Sequence, residues 1–142
     1  MYVHRQSSQW MVLMLTVVAV VIFVAGFMSG VYAVFAIAAV LLAVAILFTT
    51  LTTRVDADGV SWAFTAGRPG GSLAFSDIAN VELTTTKFWL EGYGIHWTIW
   101  HGWLWNVAGY GAVMLTTRDG KRITLGTDDP QGLFNAIVSA RG

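Results

Sequence analysis

The groups that could do acid–base chemistry are eight carboxylates and three histidines. Asp58 and Asp119 each precede a glycine between strand-like runs, where Asp serves the backbone geometry of a hairpin turn. Asp77 reads as a turn residue, and Asp128 or Asp129, just ahead of Pro130, as a helix N-cap. Glu82 and Glu91 remain, with no partner at a spacing that suits general acid–base work. His96 and His101 stand five residues apart, on opposite faces of a regular strand, which separates them as metal ligands. No Ser or Thr neighbours a plausible base, and Gly67-Arg68-Pro69-Gly70-Gly71 precedes no helix, so it is not a phosphate cradle. With no cysteine there is neither a disulfide framework nor thiolate chemistry. The sequence predicts a protein that is not an enzyme and holds no cofactor and no metal.

Charge excludes further classes. Eight basic and eight acidic side chains cancel and form no run, so no broad attraction to nucleic acid or anionic lipid is expected. A phosphate pocket needs several converging Lys or Arg. The first hairpin offers only Ala57-Asp58-Gly59, and Arg68, Lys87, Arg118, Lys121 and Arg122 are scattered, the last two as exposed strand residues.

The informative chemistry is aromatic. Trp89, Trp97, Trp100, Trp103 and Trp105 fall within 17 residues, with Phe88, Tyr93 and Tyr110 nearby. Indoles combine a large apolar body with one N–H donor, which suits protein interfaces and the membrane surface. A small domain buries some of them. Alternation leaves Trp100, and one of Trp103 or Trp105, facing outward, and an exposed aromatic patch marks something that covers it. Trp97, Trp100, Trp103 and Trp105 are the candidate contact residues.

These residues follow an apolar anchor. Residues 6–53 contain no Asp, Glu, Lys or Arg. A bilayer core takes about 20 apolar helical residues per crossing, so the stretch predicts a hairpin of two transmembrane helices, at 10–28 and 31–51, linked at Ser29-Gly30. A signal peptide would have a shorter apolar region and no second span at once behind it. Gly26 with Gly30, Ala25 with Ser29, and Ala39 with Ala43 form stripes of small residues that let helices approach closely, closing the hairpin on itself or facing a partner. His4 and Arg5 before the spans and Arg54 after them place both termini on the cytoplasmic side.

From Arg54 onward the pattern alternates. Strand-like runs at 60–65, 73–75, 81–85, 95–101, 103–107, 111–117 and 121–126 are separated by turn signals, the clearest being Asp119-Gly120. Leu133, Phe134, Ile137 and Val138 form one face of a final amphipathic helix. The organisation expected is a tail at 1–9, the hairpin at 10–51, and an α+β domain at 52–142. That domain has about seven antiparallel strands closed by a C-terminal helix.

Asp58-Gly59, Ser76-Asp77-Ile78, Gly92-Tyr93-Gly94-Ile95, Asp119-Gly120 and Thr127-Asp128-Asp129-Pro130, behind two apolar spans, resemble the bacterial pleckstrin-homology-like (PH-like) small membrane proteins. Those proteins usually carry Arg where this chain has His96. The resemblance implies a PH-like fold in the bacterial inner membrane and general links to envelope complexes. The function expected is a non-enzymatic scaffold or accessory subunit of a larger membrane complex, for example a respiratory or transport complex, contacting it through its helices and an aromatic surface. Its partners would be the lipid bilayer and other integral membrane proteins, with no nucleic acid. The alternatives are a homo-oligomeric or lipid-binding envelope protein and, behind them, an envelope-lipid enzyme using His96 or His101.

Overall fold

The tail at the start of the chain is a strand. In a computed structural model that describes residues 1–87, 94–107 and 109–142, β1 (Tyr2–Ser7) pairs antiparallel with β2 (Thr50–Val55), from Tyr2↔Val55 to Ser7↔Thr50. Thr50, Thr52, Thr53 and Val55 are β-branched residues that suit a pleated surface, so β2 begins where the second span was expected to end.

Between these paired strands the chain leaves and returns as two helices, α1 (Gln9–Ser29) and α2 (Val34–Leu47). The Ser8 hydroxyl caps α1 by accepting from the Met11 N–H, and Gly30 ends it in the left-handed region at φ 71°. Met11, Ala19 and Gly26 are buried against a stripe of α2 containing Ala38 and Ala45. A side chain at Gly26 would meet Val34 Cγ2 at 2.2 Å, so the Val34 side chain packs there directly on the α1 backbone. Phe23 stacks on Phe35 at 4.7 Å beside that contact.

The expectation of two spans is corrected. At 1.5 Å per residue, the 21 residues of α1 cover about 31 Å, enough for a hydrocarbon core of about 30 Å. The 14 residues of α2 cover about 21 Å. Among the described residues α1 is the one helix long and apolar enough to cross a membrane. The second apolar run was overcounted because its first residues form the link and its last ones join β2.

The body has two sheets. β2, β3 (Gly59–Phe64) and β4 (Gly70–Ala74) join β1 in a four-stranded sheet of order β1-β2-β3-β4. A 3-10 turn at Phe75–Asp77 leads to the second sheet: β5 (Ile78–Thr85), β6 (Gly94–Thr98), β7 (Gly102–Asn106), β8 (Gly111–Thr117) and β9 (Arg122–Gly126). Its order is β5-β8-β9-β7-β6, with β7 parallel to β9. Both Asp-Gly turns stand where the sequence put them, between β2 and β3 and between β8 and β9. Leu51, Val55, Val60, Trp62 and Phe64 of the first sheet share one core with Ile78, Val113, Leu115 and Leu125 of the second. Leu133 and Ile137 of α3 (Pro130–Arg141) complete it.

The expectation of a single PH-like domain of about seven strands confined to 52–142 is therefore corrected as well. The described residues form nine strands in sheets of four and five, and one strand comes from before the helices. A long-range pairing such as Gln6↔Leu51 leaves no local signal in the sequence. The tail is also tied to the start of α3. Asp129 caps α3 by accepting from the Gly132 N–H and takes a 3.1 Å hydrogen bond from the Tyr2 hydroxyl. Buried Gln6 donates to the Gly126 carbonyl and accepts from the Asp128 N–H, and His4 contacts Asp128. Burial, then the bond to Asp129, raises the Tyr2 pKa above the ordinary phenol value.

Candidate functional site: the aromatic hairpin tip

β6 ends at Thr98, three residues before the strand expected from alternation, and the chain turns through Ile99, Trp100 and His101 into β7. Gly102 makes this turn possible. Its φ is 66°, and a Cβ there would meet the Arg122 carbonyl oxygen at 2.1 Å. The tip therefore lies against β9, and β9 holds it. The Arg122 guanidinium donates to the Trp100 carbonyl at 3.0 Å and the Ile99 carbonyl at 3.3 Å. Thr124 Oγ1 donates to the His101 carbonyl at 2.7 Å, and the His101 N–H donates to Thr98 Oγ1 at 2.9 Å. His101 Nε2 lies 3.3 Å from Thr84 Oγ1 of β5.

This fixed backbone displays large apolar side chains to the outside. Trp97 is 61% exposed, Ile99 67%, Trp100 75% and Trp103 51%. Trp97 and Trp103 are register partners across β6 and β7, so their indoles lie on the same face. Trp97, Ile99, Trp100 and His101, with Thr85 and Lys87, line a groove of about 690 Å³. Binding costs free energy for every side chain and loop that must be ordered. A turn already fixed by five side-chain hydrogen bonds spares part of that cost.

The structure separates the four candidate tryptophans. Trp97, Trp100 and Trp103 stand together at the tip. Trp105 is partly buried and packs against the core, 5.8 Å from Trp62 edge-on and stacked 5.9 Å from Phe64. Trp89, Tyr93 and Glu91 lie outside the described residues, as do Phe88 and Gly92. The small-residue stripes divide in the same way. Gly26 is buried between the helices and Gly30 supplies the helix end, whereas Ala39 and Ala43 are exposed. Ala38 and Ala45 occupy the contact stripe instead. Ala25 and Ser29 are exposed as well, with the Ser29 hydroxyl donating to the Ala25 carbonyl at 2.7 Å. Among the described residues no three His, Asp or Glu side chains come together as metal ligands.

Sequence reasoning missed Ile99 and the fastening role of Arg122, because a turn inside an alternating run looks like continuous strand. It also missed that Arg5 and Arg54 share a sheet face, which follows from β1 pairing with β2. No protein-family model, curated protein or solved structure matches the chain.

Proposed function

We propose that this protein is a non-enzymatic, membrane-anchored scaffold or accessory subunit whose aromatic hairpin tip docks on an integral membrane protein of a larger complex. The observation that carries the reading is the exposure of Trp97, Ile99, Trp100 and Trp103 on a turn fastened from β9 and β5. Clustered aromatic anchors on a pre-organised backbone are what energetic hot spots of interfaces are made of.

The anchor is supported by α1, which is apolar all round yet has only 17% of its most apolar window buried within the protein. Val17, Val21, Phe27 and their neighbours need a cover, and lipid supplies one. A removable leader fits poorly, because β1 precedes α1 and is paired with β2 over its whole length. β1 ends where α1 begins and β2 begins where α2 ends, so the body lies at one end of the apolar arm, with Arg5 and Arg54 on the two flanking strands. The positive-inside rule then gives the body a cytoplasmic position at a bacterial inner membrane.

The test is purification of the tagged full-length chain at native expression in mild detergent. The reading expects a fixed set of integral membrane proteins at constant stoichiometry, lost in a Trp97→Ser/Trp100→Ser variant that remains folded. Recovery of the chain with lipid alone would sink it.

A further inference from the structure

The outward face of the first sheet carries a second feature that the aromatic tip does not use. Residues directly opposite in a ladder share a face, so Arg5, Thr52 and Ala63 lie in one row and Val3, Arg54 and Ser61 in the next. Arg5 is opposite Thr52 and therefore diagonal to Arg54, a spacing of about 7–8 Å across a sheet. Arg5, Thr52, Arg54 and Ser61 line an open groove of about 430 Å³ that contains no carboxylate. Asp56 and Asp58 lie at the far turn, where Asp56 Oδ1 accepts from the Asp58 and Gly59 N–H groups. Neither arginine has an ion-pair partner among the described residues. Two guanidiniums held side by side without a counter-charge repel each other, and an anion placed between them removes the repulsion.

The groove's position selects the anion. The ladder that carries both arginines ends at Ser7↔Thr50, with α1 starting at Gln9 and α2 ending at Leu47. Arg5 is four residues from the start of α1, about 13 Å along a strand, and the groove it lines continues to Thr50 and Thr65 at the arm end of the sheet. Trp10, 68% exposed in the first turn of α1, marks the interfacial level. The β3–β4 turn, which carries Arg68, is at the same end, where the Thr65 hydroxyl pairs with that of Thr50 at 3.2 Å.

We infer that Arg5 and Arg54, with the Thr52 and Ser61 hydroxyls, form a binding site for the phosphate of an anionic glycerophospholipid at the root of the helical arm. Guanidiniums offer forked donors that match phosphate oxygens, and the hydroxyls supply neutral donors beside them. The inference rests on the anchored reading above, because the groove meets headgroups only if the arm is in the bilayer.

The experiment is native mass spectrometry of the full-length chain in detergent, titrated with phosphatidylglycerol, with phosphatidylcholine, and with inorganic phosphate alone. Wild-type protein should hold phosphatidylglycerol in preference to phosphatidylcholine, and Arg5→Gln/Arg54→Gln should weaken that adduct about tenfold or more. Arg118→Gln, at the β8–β9 turn, should leave it unchanged. Arg5→Lys/Arg54→Lys keeps the charge but loses the forked donors, so its adduct should be weaker than that of wild type and stronger than that of the glutamine variant. Thermal unfolding of each variant shows that it is folded. Equal phosphatidylglycerol binding by wild type and the glutamine variant would overturn the site. Inorganic phosphate that binds with the same arginine dependence and displaces the lipid would overturn the lipid assignment. Whether wild-type chain leaves the membrane without detergent is scored separately and bears on the anchor, so the two failures are distinct.

Discussion

Trp100 lies outside the core and is 75% exposed, so Trp100→Ser should change stability by no more than about 0.5 kcal/mol. Trp105, five positions on, is partly buried against Trp62 and Phe64, and Trp105→Ala should cost about 2–4 kcal/mol. Thermal unfolding of the two variants in one detergent checks the contrast, and similar losses for both would contradict the placement. Two titrating groups add pH dependence. The Tyr2 pKa is raised, so its contribution to stability is complete below the unfolded phenol value and is lost as pH climbs past about 10. Tyr2→Phe should flatten alkaline destabilisation. Hydrogen bonds from Lys121 and then Thr117 hold Asp119 down at about 2, so its contribution is present above the ordinary carboxylate range and fades as pH falls from about 4 toward 2. Both groups of that pair are exposed, and Asp119→Asn should lower stability slightly above about pH 4 and flatten the acid limb of a stability–pH curve.

Local signals were legible wherever one short element carries them. Asp58-Gly59 and Asp119-Gly120 mark hairpins because the turn needs those residues, and Asp129-Pro130 marks the start of α3 because the cap does. What was not legible is what depends on distant partners. Periodicity makes a continuous strand of 95–101, and only the approach of Gly102 to Arg122 shows the turn that lifts Ile99 and Trp100 into solvent. Arg122→Ala should leave the sheet intact and free that turn, seen as faster hydrogen exchange at residues 99–101. Unchanged exchange there would remove Arg122 from the account. In the helical arm, spacing alone could not choose between Ala39/Ala43 and Ala38/Ala45. The register is set by Gly26 against Val34. Gly26→Leu should therefore separate α1 from α2 at a cost of about 1–3 kcal/mol, while Ala39→Leu and Ala43→Leu are tolerated. Heat stability of the three variants in detergent ranks them.

Taken whole, the chain is a two-sheet body with one apolar arm drawn out between two neighbouring strands. That topology makes β1 the strap that joins the arm, the first sheet and the start of α3. Gln6 is 3% exposed with bonds to Gly126 and Asp128, and Gln6→Ala should cost about 1–3 kcal/mol by removing both bonds, the one to the buried Gly126 carbonyl above all. The same topology puts Arg5 beside Arg54 and presents the aromatic tip from the second sheet, so the proposed anchor, headgroup site and docking surface belong to one folded unit. The most direct test of the docking claim is photo-crosslinking in intact cells, with a photoreactive residue at position 100 and a control at position 119 on the exposed β8–β9 turn. The account predicts a discrete adduct with an integral membrane protein from position 100 and none from position 119. Lipid adducts alone, or the same products from both positions, would contradict it.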